Sequence, residues 1–133
     1  MIITKIIKMA SNTKYYGLRD KYTHKAKIKN INCGDIIKVE LQIRKKSIIS
    51  MRYETQSCIF CQASASILAN KIKLFSIENL KNNVSFFYSV INCKNKQLPS
   101  IFKPFKELIN NKNLSRADCI MLPYNALIKA LKI

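Results

Sequence analysis

The sequence is short of negative charge, of arginine and of histidine, and each scarcity narrows what the protein can do. Seven Asp and Glu stand against 24 Lys and Arg, a formal charge of +17 at pH 7. Charge of that sign raises the question of a nucleic acid or an anionic membrane as partner. Arginine, the side chain best suited to bidentate contacts with phosphate or guanine, occurs only as Arg19, Arg44, Arg52 and Arg116. The lysines are spread along the chain beside Ile and Asn, as in proteins from AT-rich genomes. Such charge supports salt-sensitive attraction without base readout, so no specific nucleic acid is expected as a partner. A basic nucleic-acid-binding domain with structural cysteines is the alternative from another class. His24 is the lone histidine and sits in a polar context, which predicts a solvated rather than a catalytic imidazole.

Long apolar runs are also missing. No stretch approaches the ~20 apolar residues of a membrane span, so no membrane is expected as a partner. The opening Met1 to Ala10 is apolar, but Lys5 and Lys8 interrupt it and no small-residue cleavage site follows, which argues against an export signal. Its Ile2, Ile3, Ile6 and Ile7 recur at helical spacing and predict a short amphipathic helix packed on the domain. Five cysteines (33, 58, 61, 93 and 119), an odd number without an export signal, speak for reduced thiols and a cytoplasmic location. Paired metal-knuckle spacings, internal repeats and low-complexity tails are absent too. At 133 residues the chain is expected to form a single domain, residues 1–133.

What is present is a change of periodicity. Ile37, Val39, Leu41 and Ile43 alternate with Lys38, Glu40, Gln42 and Arg44, the period of a strand with one buried and one wet face. After a turn at Lys45 to Ser47, Ile49, Met51, Tyr53 and Thr55 alternate in the same way. The two runs predict an antiparallel hairpin, extended to a third strand by Ala26 to Asn30. Beyond Cys58 the period becomes helical, with Ile59, Ala63 and Ile67 and a thin Ala/Ser face suited to close packing on a sheet. Ser76 is placed to cap a helix carrying Ile77, Leu80, Val84, Phe87 and Ile91. Pro104 could start a further helix through Ile109, and Pro123 suits the first turn of a last one. Strands first and helices afterwards predict an α+β domain, a three-stranded antiparallel sheet covered on one side by helices.

Chemistry concentrates at Cys33-Gly34-Asp35, just before the first long strand, where Gly34 permits a tight turn. Hairpin strands return to where they began, so Cys58, at the end of the second strand, is expected beside Cys33 and Asp35. Cys119, expected just before the last helix, and Cys58, before its own, have the positive helix end that favours a thiolate. Three thiolates and a carboxylate form a set that zinc accepts, and thiolates are the usual ligands of iron-sulfur clusters. Cys58-Ile59-Phe60-Cys61 is also a CxxC, but the βαβ context of a thiol-disulfide enzyme is missing. Cys93 reads as an ordinary buried cysteine.

These residues resemble the NifU N-terminal, IscU and SufU group of iron-sulfur assembly proteins, over nearly the whole chain. The likeness rests on Cys33-Gly34-Asp35, on Cys58 followed by Ala63-Ser64-Ala65-Ser66, and on Arg116 and Cys119 leading into Leu122-Pro123-Tyr124-Asn125-Ala126-Leu127, with weaker echoes in Asn12 and Gly17. The long stretch between Cys58 and Cys119 is most similar to the SufU branch and its NifU-like relatives. Asn113 to Asp118 replaces the chaperone-docking Leu-Pro-Pro-Val-Lys of IscU proteins, so the resemblance does not imply an Hsp70-type partner.

The resemblance implies a non-enzymatic scaffold or sulfur acceptor that receives sulfur from a cysteine desulfurase and gathers iron. It would hold a [2Fe-2S] cluster, or zinc in its place, on Cys33, Asp35, Cys58 and Cys119, and pass the cluster to apo iron-sulfur proteins. Cys119 is the candidate sulfur acceptor. The chain departs from the family pattern in three places. Gln56 and Ser57 replace glycines before the middle cysteine, Cys61 is an extra thiol, and Asp118 stands where a His or a basic residue is usual.

Overall fold

Alternation of apolar and polar residues in the middle of the chain builds an antiparallel sheet in the order β1-β2-β3. In the computed structural model, residues 2–31, 34–92 and 117–133 are described. Strand β1 is His24–Lys29, β2 is Ile36–Arg44 and β3 is Ser47–Gln56. Helix α1 (Ile2–Ala10) precedes the sheet, and α2 (Ile59–Asn70), α3 (Ile77–Asn92) and α4 (Ala117–Leu131) follow it. The expected α+β fold is observed, with Ile37, Val39, Leu41, Met51 and Tyr53 directed into a core shared with α2, α3 and α4. His24 is the first residue of β1, its Nδ1 2.9 Å from Thr23 Oγ1.

The hairpin turn is tighter than Lys45 to Ser47 suggests. Lys45 and Lys46 alone form it, with φ of 51° and 63°, the left-handed pair that matches the twist of a two-residue hairpin and normally favours Asn and Gly. A bulge between Gln42 and Ile43 then shifts the register, so that Ile43 pairs with Ile48 while Gln42 pairs with Ser50. The extra residue inverts the expected phase at the start of β3: Ile48 is buried and Ile49 is exposed. From Met51 onward the alternation runs as the sequence predicts.

The face of the sheet expected to be wet is partly covered. Residues 15–17 pair along the free edge of β3, with Gly17 N–H donating to the Tyr53 carbonyl at 2.7 Å. The chain then crosses the outer face, where Leu18 N–H donates to Glu54 Oε1 (3.2 Å) and Arg19 N–H to Glu40 Oε1 (2.8 Å). Arg52 holds the strap from below, through the carbonyls of Tyr16 and Gly17 at 2.8 Å each. Glu40, read as solvent-facing from the alternation, is therefore buried.

Helix α2 is buried almost all round, from Cys61 to Ala69. Its small residues do more than approach the sheet: Ser66 Oγ donates to the Asn12 carbonyl beyond α1 (2.8 Å), and Ser64 Oγ to the Ile120 carbonyl of α4 (2.7 Å). In α1, Ile6 is buried and Ile7 exposed. Ser76 caps α3 through the Asn79 N–H at 3.2 Å. The segment holding Pro104 and Ile109 lies outside the described residues.

Pro123 does not open the last helix, which begins at Ala117 and runs through it. Proline in a helix interior cannot donate to the carbonyl four residues back and crowds the preceding turn. Here that turn is tied to α2, where the Ser64 hydroxyl provides a donor for the Ile120 carbonyl. Apolar packing of Ile120, Tyr124 and Leu127, all fully buried, holds the segment helical against the local preference. The Tyr124 ring meets Phe87 and Phe75 edge-on, at 5.0 and 6.0 Å between centroids.

Candidate metal centre

Gly34 makes the predicted tight turn, with φ of 76°. Its N–H donates to the Asn30 carbonyl and Asn30 N–H to the Asp35 carbonyl, each at 2.8 Å, which closes the β1–β2 connection and sets Asp35 at the foot of β2. Because β2 and β3 are antiparallel and Ile36 pairs with Gln56, Cys58 emerges from β3 beside Asp35. Gln56 and Ser57 reach that corner without the left-handed backbone that glycines would permit; positive φ among the described non-glycine residues is confined to Asp20, Lys45, Lys46 and Lys132.

Cys58 is the N-cap of α2 and uses no side-chain capping bond, so its sulfur is available to a ligand. Cys119 approaches from α4. Because that helix starts at Ala117, Cys119 lies within its first turn rather than before it. A carboxylate oxygen of Asp35 and the sulfurs of Cys58 and Cys119 all lie within 4.8 Å of one another. Cys33 lies outside the described residues, as do Cys93 and Arg116.

Asp35 is 7% exposed, and its Oδ1 accepts the Cys58 N–H at 3.3 Å. Its Oδ2 is buried with no hydrogen-bond partner among the described residues. A buried carboxylate oxygen without a donor costs free energy on the order of 1–3 kcal/mol, which a bound cation at that oxygen would recover. With two soft sulfurs beside it, the donor set fits zinc or the iron of an iron-sulfur cluster, and leaves a position for a further ligand.

Cys61 stands behind the corner and is fully buried. Thr55 Oγ1 is 2.6 Å from the Ile36 carbonyl, 2.8 Å from Ser57 Oγ and 4.0 Å from Cys61 Sγ. A hydroxyl has one proton, and the carbonyl, which can only accept, is its natural destination, leaving Ser57 and Cys61 to donate. Burial pushes the Cys61 thiol up to about 12, against the smaller opposing effect of the Ser57 and Thr55 hydroxyls. Asp118, which stands where a His or a basic residue is usual, has an exposed side chain and faces a surface groove lined by Lys29, Leu122 and Asn125.

Fold and donor set together define a small α+β domain with a cysteine-carboxylate corner of metal-binding type. The chain belongs to the NifU-like N-terminal domain family, whose pattern matches residues 2–132, and so to the scaffold family that takes in the IscU and SufU proteins. It is 28% identical, over 96% of its own length and 89% of the relative's, to the iron-sulfur cluster assembly scaffold protein IscU of Thermotoga maritima. A NifU-like N-terminal protein from Brucella abortus has the same fold, with a TM-score of 0.79 at 19% identity over 99% of this chain and 96% of that one. A putative iron-sulfur cluster assembly scaffold protein for the SUF system from Fervidobacterium islandicum follows at 0.78 and 19%, covering 95% and 93%. No described helix is long and apolar enough to cross a membrane.

Proposed function

We propose that this chain is a cytoplasmic, single-domain scaffold on which an iron-sulfur cluster is built as cargo. A cysteine desulfurase delivers sulfur, with Cys119 as acceptor. Iron and sulfur come together as a [2Fe-2S] unit on Cys33, Asp35, Cys58 and Cys119, and the unit passes to apo-proteins. The observation that carries this reading is the meeting of two cysteine sulfurs with a buried carboxylate whose Oδ2 has no donor among the described residues. The name of the Thermotoga relative agrees with it.

The chemistry follows from the ligands. Cysteine sulfurs accept sulfane sulfur as thiolates. Asp35, a hard oxygen donor, holds soft iron-sulfur units less firmly than a fourth thiolate and so favours release. The same set suits zinc, and a zinc-bound sulfur acceptor is the second reading.

The test is anaerobic purification of the untagged chain, with metal and acid-labile sulfide analysis before and after incubation with a cysteine desulfurase, cysteine and ferrous iron. Iron and sulfide appearing together, and lost in Cys33→Ala, support the scaffold. One tightly held zinc with persulfide but no cluster supports the acceptor, and neither metal nor sulfur uptake overturns both.

A further inference from the structure

The scaffold role leaves Cys61 without a task, yet its placement is specific. Cys58 is the N-cap of α2 and Cys61 is the third residue of the helix. An N-cap side chain characteristically reaches toward that third residue, where it caps the backbone N–H, and residues at this spacing share one face. Disulfide formation needs β-carbons about 3.5–4.5 Å apart, and Cys58 has no side-chain capping bond that would hold it away from Cys61. The Thr55 contact fixes the buried sulfur beneath the cap, while Cys58 stays partly accessible.

We propose that Cys58 and Cys61 form an internal two-electron reductant that converts sulfane sulfur on the scaffold to sulfide, a step that rests on the scaffold reading above. Sulfur delivered as a persulfide has the oxidation level of elemental sulfur, whereas a cluster contains sulfide, so two electrons must be supplied. A persulfide on Cys58 is formed directly or passed from Cys119, whose sulfur is within 4.8 Å. The Cys61 sulfur attacks the Cys58 sulfur. The Cys61–Cys58 bond forms, the bond from Cys58 to the sulfane sulfur breaks, and that sulfur leaves as hydrosulfide with the proton of the Cys61 thiol. The sulfane sulfur gains two electrons, and the two cysteine thiols, losing one each, end as a disulfide. An external dithiol then resets the pair by exchange.

The experiment treats the full reduced, metal-free chain with a stoichiometric amount of inorganic polysulfide in a sealed anaerobic vessel. Free sulfide, protein-bound sulfane sulfur and the cysteine state of each peptide are measured. The expected result is about one sulfide per chain, with a disulfide inside the single peptide that holds Cys58 and Cys61. Cys61→Ser and Cys61→Ala retain sulfane sulfur, and release it as sulfide only after a dithiol is added. If both variants take up sulfane sulfur and release sulfide as the parent does, or if the disulfide joins Cys58 to Cys119, the proposal is overturned while the acceptor reading stands. If neither parent nor variants take up sulfane sulfur, both fall.

Discussion

Asp35 and Cys58 are tied to each other through the protein backbone: the Cys58 N–H donates to Asp35 Oδ1 at 3.3 Å, and Oδ2 is buried with no donor among the described residues. One oxygen thus orients the carboxylate, and the other is held in readiness for a cation. A site that keeps its shape through a hydrogen bond independent of any metal is preorganised for a cation.

Asp35→Ala removes the weak oxygen donor. A [2Fe-2S] unit reconstituted on the variant is expected to persist severalfold longer than on the parent, followed by its visible absorbance after addition of a chelator. Faster loss from the variant would show that Asp35 retains the cluster instead of keeping it labile.

Stability at alkaline pH should depend on Cys61. Its thiol ordinarily titrates near 9.0 and in the fold near 12. Between those values the unfolded chain has lost the proton and the folded one has kept it, so stability falls as pH rises. It is whole below about pH 9 and lost progressively up to about pH 12, at up to ~1.4 kcal/mol per pH unit. Urea unfolding of the metal-free protein at pH 8, 9 and 10 should show this slope. Cys61→Ala should flatten it relative to the parent; equal slopes would mean the thiol is not buried in the neutral form.

The Ser64 hydroxyl bonds the Ile120 carbonyl in the turn that Pro123 disturbs. Ser64→Ala removes this side-chain hydrogen bond to a helical carbonyl and is expected to destabilise the protein by about 0.5–1.5 kcal/mol in urea unfolding. An unchanged midpoint would mean that the helix satisfies the carbonyl alone.

Lys46→Gly relieves a left-handed residue in the hairpin turn, where the lysine is exposed and φ is 63°. Strain of roughly 1–2 kcal/mol is attached to such a conformation in non-glycine residues, partly offset by the greater freedom of glycine in the unfolded chain. A net gain of about 0.5–1 kcal/mol is expected, read from the thermal midpoint, and a loss would mean that the lysine adopts this turn without strain.

Glu40→Ala tests the strap across the outer face. The carboxylate accepts the Arg19 N–H at 2.8 Å from a buried position. Its loss should cost about 1.5–3 kcal/mol and accelerate hydrogen exchange at Arg19, while the amides of β2 facing β1 stay protected.

The sequence by itself determined the α+β class, the hairpin and the convergence of Asp35 with Cys58, because period-two alternation and the return of a hairpin are local rules. Gly34 was legible for the same reason, since a turn that needs positive φ accepts few residues. Tertiary structure decided the rest. Ile48 rather than Ile49 faces the core because a bulge, invisible in the alternation, adds one residue to β3. Glu40 is buried because a loop distant in sequence lies over it, and its wet-face pattern carries no trace of that loop. Pro123 reads locally as a helix start, but burial of Ile120, Tyr124 and Leu127 with the Ser64 contact keeps the helix running from Ala117. That extension brings Cys119 into the first turn of α4 and within 4.8 Å of its partners, because packing against α2 outweighs the preference of a single residue.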